Sequence, residues 1–331
     1  MGERRVRERH SGTKMKVLVT GGMGFVGTAI VRAFARKHRV TVADRLDFGI
    51  VPEIRDLVLE GCIESIHTDV AEQSDLHKRI ALEDFNVVVH LASRHFIPAC
   101  EEDPVQAYHD NVLTTVSILK HLPEASLMIN FSSAAVYEPS MSPHCEDQSP
   151  LSPLDVYGYS KKHVEELLAY YARARGLSVL NIRLFNAVGP GETNPHILAT
   201  MLAQLNHDAK VIELGSLHPE RDFVHINDIA WAVENLMDRR PGSPGSVEHF
   251  NIGSGVPITI GELVSCVVEE TGQQLEVQNV AARQRKVDRP FLCADLSKLR
   301  SVLPTFRPMT INKWLPDLVR DPRLRLQKDL A

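Results

Sequence analysis

Residues 17–27 read Val17-Leu18-Val19-Thr20-Gly21-Gly22-Met23-Gly24-Phe25-Val26-Gly27, a short apolar strand that runs into a glycine turn and opens a helix. A buried strand, a tight turn and a helix folded back on the strand form the first unit of a doubly wound parallel sheet. Gly21 permits the turn, Gly24 lets a backbone come close to a ligand, and Gly27 lets helix and strand pack closely. The helix start, with Phe25 and Val26 in its first turn, offers free N–H groups and the positive end of a dipole. A dinucleotide pyrophosphate is the ligand that such a turn cradles; an ordinary glycine-rich turn would lack the strand before it and the helix after it.

The first half keeps the alternation. Lys16–Thr20 reads as a strand and Phe25–Lys37 as an amphipathic helix. Val40–Ala43 and Ser65–Thr68 read as the next strands, and Val87–Leu91 is apolar enough for a buried central one. Pro104–His121 is expected as one helix, Leu127–Phe131 as a strand, and a helix from Tyr157 is expected to stop at Gly176. Leu177–Leu184 returns as a strand. The expected fold class is α/β, a Rossmann-type sheet over 15–185 with a smaller C-terminal α/β lobe over 186–320. Segments near 225–255 are expected to return to the first domain.

Composition narrows the partners. With a net charge of −5 over 331 residues, nothing favours nucleic acid or a membrane surface. No stretch approaches the roughly 20 apolar residues of a membrane span. Residues 1–14 carry Arg4, Arg5, Arg7, Arg9 and Lys14 without an apolar core, which reads as a disordered basic tail rather than a signal peptide. Cys62, Cys100, Cys145, Cys266 and Cys293 are scattered and lack metal spacing, so reduced thiols, no metal and a cytoplasmic protein are expected.

Asp44 ends the second strand, where a carboxylate accepts hydrogen bonds from an adenosine ribose and repels a 2′-phosphate. That favours NAD, although Arg45 beside it is suited to the phosphate of NADP. Asp69 and Val70 follow the third strand and are placed to hold the adenine; a solvated loop aspartate is the other reading.

Far downstream, Ser133 precedes Tyr157-Gly158-Tyr159-Ser160-Lys161. Tyr157 and Lys161 are four apart and share a helix face. Lowering a tyrosine pKa from about 10 to near 7 takes about 4 kcal/mol. One cation at about 5 Å supplies roughly 3 kcal/mol at an effective dielectric near 20. Lys161 and a positive nicotinamide together therefore suffice. Tyr157 is then a base for oxidising a hydroxyl and an acid for reducing a ketone, with Ser133 hydrogen-bonded to the reacting oxygen.

These motifs resemble an extended short-chain dehydrogenase/reductase of the nucleotide-sugar epimerase/dehydratase family over about residues 15–315. The likeness includes the glycine turn, His90-Leu91-Ala92, Asn111, Ser132-Ser133-Ala134-Ala135-Val136-Tyr137 and Tyr157/Lys161. Arg183-Leu184-Phe185-Asn186, Gly189-Pro190, Arg221-Asp222-Phe223-Val224-His225, Asn251-Ile252-Gly253 and Ser297-Lys298 extend it. The resemblance implies that Leu91, Ala92 and Asn111 border the cofactor. It implies that Asn186 binds a nucleotide sugar near its diphosphate, which Arg221 and Arg285 clamp; surface ion pairs are the other reading of the arginines. His196 falls where a sugar-facing loop begins, or is a solvated loop residue. Relatives pair the helices matching Pro104–His121 and Tyr157–Arg175, so a homodimer is expected.

Dehydratases that this chain resembles carry Asp-Glu after the catalytic serine or threonine. Related decarboxylases carry a glutamate at the second position, and 3,5-epimerases a cysteine. Ala134-Ala135 transfers no proton. Oxidation and reduction at the sugar C4 remain: an epimerase that keeps its NAD, or an NAD(P)H-dependent 4-ketoreductase. A non-catalytic cofactor sensor is a third reading, which the presence of Tyr157 and Lys161 disfavours.

Overall fold

The computed structural model describes residues 14–321 apart from 48, 193, 206–210, 240, 243–244, 274–275, 281–282 and 284–287. The glycine turn joins β1 (Lys16–Thr20) to α1 (Phe25–Phe34). Then follow β2 (Arg39–Asp44), α2 (Pro52–Leu59), β3 (Ile63–His67), α3 (Gln73–Arg79) and β4 (Val87–His90). Next come α4 (Ile97–Glu102), α5 (Pro104–Tyr108), α6 (Thr114–Leu119), β5 (Leu127–Ser133), α7 (Val156–Arg175) and β6 (Ser178–Leu184). The second half holds β7 (Asn186–Val188), α8 (Ile197–Leu205), β8 (Val211–Leu214), β9 (Glu220–His225), α9 (Ile226–Leu236) and β10 (Val247–Ile252). It ends with β11 (Pro257–Thr259), α10 (Ile260–Thr271), β12 (Glu276–Asn279), β13 (Phe291–Leu292), α11 (Ser297–Val302) and α12 (Ile311–Arg320).

Among the described residues, seven strands form a parallel sheet in the order β10-β6-β5-β4-β1-β2-β3. Val17–Val19 and Val87–Val89 are buried on both faces, as strands between two helix layers must be. Each such side chain contributes about 1.5–3 kcal/mol. The chain leaves β1 toward β2 and β3, then crosses back to β4. That reversal opens a crevice beyond the C-terminal ends of β1 and β4, the place where doubly wound sheets bind ligands.

Pro104–His121 is not one regular helix. A π turn over His109–Leu113 joins α5 to α6. The Thr114 and Thr115 hydroxyls donate to the Asp110 and Asn111 carbonyls, and the Asn111 amide is drawn to the Arg94 backbone. Those competing bonds widen the helix locally.

A second apolar core lies between α8, β8, Phe223 of β9, α10 and α12. There β9 pairs in parallel with β7 and β13 and antiparallel with β11, while β8 pairs with β12. In contrast, β10 returns to the large sheet beside β6, and α9 packs on α1 in the first core. Among the described residues, no helix is long and apolar enough to cross a membrane, and no cluster of His, Cys, Asp or Glu is fit to hold a metal. The basic N-terminal tail, residues 1–13, lies outside the described residues.

Candidate active site

A cavity of about 600 Å³ follows the C-terminal ends of β1 to β6. Gly21, Gly24, Phe25, Val26 and Gly27 form one wall. Gly21 has φ +70°, and a Cβ there would lie 2.7 Å from the Ala92 nitrogen. At Gly27 a Cβ would collide with the Gly21 carbonyl. The start of α1 has no side-chain cap and no acidic residue in its first turn. Its free N–H groups therefore suit an anion, and this wall fits a dinucleotide pyrophosphate.

Asp44 ties the turn to the next loop. Its carboxylate accepts from the Met23 N–H at 2.9 Å and the Leu46 N–H at 2.8 Å. Both oxygens keep a lone pair, and the residue lines the cavity with Asp69, Val70, Leu91 and Ala92. Arg45 is engaged by three carboxylates: Asp47 and Asp110 at 3.0 Å and Asp69 at 3.5 Å. Arg94 also pairs with Asp110, at 3.1 Å. Burial pushes the Asp110 carboxyl up, but the bonds from Gln106, Arg45 and His109 outweigh it and hold the group ionised. Acidic groups thus dominate this end.

Asn111 is placed differently from the expectation. It is 1 % exposed and is not a lining residue of the cavity. Its side chain accepts from the Arg94 N–H at 2.6 Å and donates to the Arg94 carbonyl at 3.1 Å and the Ser160 hydroxyl at 2.8 Å. It fastens the loop after β4 to α7 from behind.

Ser133, Tyr157 and Lys161 meet in the cavity wall. Asp155 caps α7 through the Gly158 N–H at 2.7 Å, which sets Tyr157 in the first turn. At Gly158 a Cβ would lie 2.6 Å from the Ala135 carbonyl oxygen and 2.9 Å from the Pro153 Cβ. Only glycine lets α7 come this near the segment after Ser133. Arg289 clamps the same junction, reaching Asp155 at 3.0 Å and the Ala135 carbonyl at 2.9 Å. Burial pushes the Tyr157 phenol well above its ordinary pKa, and a hydrogen bond from Ser133 offsets part of that. Burial also lowers Lys161, to about 8. The phenol near neutrality expected with Lys161 and a positive nicotinamide together is not reached by the chain alone, in which desolvation dominates.

Beyond the tyrosine lie Asn186, His196 and Arg221. Asn186 donates to the Asp222 carbonyl at 3.1 Å, and Arg221 pairs with Asp288 at 2.6 Å. Arg285 lies outside the described residues. Several lining residues carry no motif of their own: His95, Phe96, Glu192, Asn194, Asp288 and Arg289. The nearest sequence signal to Glu192 and Asn194 is the Gly189-Pro190-Gly191 turn that precedes them.

Residues 17–253 match the NAD dependent epimerase/dehydratase family. The chain is 29% identical over 310 residues to a UDP-glucose 4-epimerase of Corynebacterium glutamicum, covering 87% of this chain and 90% of that protein. It is 27% identical over 318 residues to a GDP-6-deoxy-D-talose 4-dehydrogenase of Aggregatibacter actinomycetemcomitans, covering 94% and 99%. In fold it is similar to a UDP-glucuronic acid 4-epimerase of Bacillus cereus, with a TM-score of 0.82 at 23% identity over 92% of this chain and 99% of that one. With the glycine turn, the Ser133–Tyr157–Lys161 wall and a family match across most of its length, the chain belongs to the NAD dependent epimerase/dehydratase family.

Proposed function

We propose that the chain is an NAD-dependent epimerase that inverts C4 of a nucleoside-diphosphate sugar through a transient 4-keto sugar. One observation carries the reading: a single cavity joins the glycine turn, the Ser133–Tyr157–Lys161 wall and the Asn186–Arg221 end. A dinucleotide and a nucleotide sugar can then meet at the tyrosine. When bound, NAD supplies the acceptor of the C4 hydride and its later donor.

The residues do the rest. Tyr157 takes the proton of the C4 hydroxyl and returns it, while Ser133 hydrogen-bonds the same oxygen. Lys161, fixed by its bond to the Phe131 carbonyl at 2.9 Å, adds positive charge near the phenol. Gly21, Gly24, Phe25, Val26 and Gly27 hold the pyrophosphate; Asp44, Asp69, Val70, Leu91 and Ala92 bound the adenosine and nicotinamide. Arg221 and Asn186 hold the substrate diphosphate.

Epimerase is favoured over ketoreductase because Arg45 is spent on three carboxylates. A 2′-phosphate would meet acidic charge instead of a free guanidinium, which suits a retained NAD. The 27% identity to a 4-dehydrogenase supports 4-keto reduction as the second reading.

The test denatures purified protein, identifies what it releases, and separately offers it UDP-glucose and UDP-galactose. Bound NAD and interconversion at C4 support the epimerase. Protein that reduces a 4-keto nucleotide sugar with NADPH and inverts nothing moves the reading to ketoreductase.

We also infer a homodimer in the cytoplasm. Val105 and Leu113, around α5, and Tyr159 and Tyr170, on α7, are exposed on the helices that would pair. All five cysteines are free, which suits a reducing compartment. Sedimentation of the purified protein tests the dimer.

A further inference from the structure

The cavity that Ala134 and Ala135 line without offering a proton-transfer group also carries an imidazole held by a buried carboxylate. His196 sits just before α8, and its Nδ1 lies 3.1 Å from Glu192 Oε2. An ionised carboxylate only accepts, so Nδ1 bears a proton, and in the neutral ring Nε2 keeps its lone pair. Glu192 is 5 % exposed. Burial pushes its carboxyl up, but the hydrogen bond from His196, the charges of His196 and His95 and the Asn194 N–H together outweigh that and hold it below the usual carboxylate range. Its Oε1 accepts from the Asn194 N–H at 3.1 Å, which fixes the carboxylate plane.

The pair is buttressed from the loop after β4. The Asn194 side chain meets His95 Nε2 at 2.9 Å. The rings of His95 and His196 are 5.7 Å apart, and Phe96 lies 5.9 Å from His196 on another side. His95 is close enough to Lys161 for the ammonium to depress its pKa, an effect secondary to burial and to His196. The imidazole therefore lies in the same cavity as the tyrosine, on a wall formed by other elements. A histidine whose far nitrogen is fixed by a carboxylate is the arrangement that makes imidazole a general base.

We propose that His196, held by Glu192, is a second acid/base residue that moves the proton on a sugar carbon next to the transient 4-ketone. The inference rests on the reading above for the origin of that ketone. A carbon next to a carbonyl is acidic. In the step, the C–H bond at C3 or C5 breaks and the proton goes to His196 Nε2. The electron pair moves into an enolate whose oxygen is hydrogen-bonded by Tyr157 and Ser133. Return of a proton from the imidazole re-forms the C–H bond, so no oxidant or reductant is consumed. Return to the same face gives exchange with solvent, and delivery to the other face inverts that carbon as well. Glu192 is a positioning residue in this scheme.

The experiment supplies the ketone directly and so bypasses the hydride step. The full-length protein, loaded with NAD, is incubated in D₂O with a nucleoside-diphosphate 4-keto-6-deoxyhexose, and proton NMR follows H3 and H5. The expected result is deuterium entering one of them faster than in buffer. His196→Gln should lower the exchange by about a hundredfold or more, the usual worth of a positioned base. Glu192→Gln should lower its kcat by about tenfold or more with little change in KM, since the amide still accepts from Nδ1–H but no longer stabilises the imidazolium. Calorimetry with UDP verifies that each variant is folded. Wild-type protein that exchanges neither proton overturns the proposal, as does undiminished exchange in His196→Gln. C4 inversion of UDP-glucose without exchange from the ketone overturns this inference alone. Exchange from the ketone with no C4 inversion overturns the epimerase reading and supports the base.

Discussion

Lys161 Nζ lies 5.9 Å from the centroid of the Tyr157 ring and donates its hydrogen bond to the Phe131 carbonyl. The two side chains share a helix face, yet the lysine is anchored to β5. Burial lowers the lysine to about 8 and pushes the phenol up. The chain alone therefore holds Tyr157 as a neutral acid at pH 7. A further positive charge is needed before it becomes a base.

Difference absorbance of tyrosinate, read against Tyr157→Phe, follows that ionisation. Saturating NAD should move the Tyr157 transition to lower pH; a shift upward, or none, refutes the assignment. Tyr157→Phe should lower kcat for C4 inversion by about 10²–10⁴. NAD binding in that variant, read by calorimetry, should change little.

Gly158→Ala puts a methyl group 2.6 Å from the Ala135 carbonyl oxygen. The helix must move away from the Ser133 segment, at a cost of about 1–3 kcal/mol. Thermal denaturation should show that loss, and kcat should fall further than KM rises because Tyr157 and Ser133 separate. Wild-type kcat in this variant would show that the close approach is not needed.

Arg45 is held by Asp47, Asp69 and Asp110, with Asp44 beside it. Two charges about 5 Å apart interact by roughly 3 kcal/mol at an effective dielectric of 20. NADP should therefore bind about a hundredfold more weakly than NAD, or worse. Asp44→Asn should narrow that gap. Equal affinities in wild-type protein, measured by calorimetry, would contradict the charge argument.

Burial holds His90 at a pKa of about 3 and His95, His144 and His249 at about 4, against an ordinary 6.5. Between those values the unfolded chain binds more protons than the folded one. Stability from these groups is thus complete above pH 6.5 and lost as pH falls toward 4. The midpoint temperature should drop through that window. His144 stacks on Tyr137 with ring centroids 4.5 Å apart, and neither ring nitrogen has a protein partner. His144→Phe should flatten the acid loss, and an unchanged slope would assign the loss to other groups.

What the sequence discloses about the site depends on how far apart its parts lie in the chain. The glycine turn and Asp44 are legible because strand, turn and helix are neighbours, and the Met23–Asp44 bond spans only one βα unit. Tyr157 and Lys161 are legible from helical spacing. Asn111 misleads because its partner is the Arg94 backbone, set by a loop whose course no local pattern reveals. Arg289, which reaches Asp155 and Ala135 across more than a hundred residues, leaves no trace in its own neighbourhood. The π turn at His109–Leu113 is hidden for the same reason, since side-chain bonds to the backbone create it within an otherwise helical pattern.

The place of β10 beside β6 bears on how the chain is made. Synthesis proceeds from the N-terminus, so β6 leaves the ribosome as a bare sheet edge. Its partner, Val247–Ile252, follows about 70 residues later, on the order of 3–14 s at ordinary elongation rates. Over that interval the nascent sheet presents unpaired N–H and C=O groups to any strand that meets it. Premature termination in the second half would leave that edge open for good, and such fragments should aggregate even with the whole glycine turn and catalytic helix present.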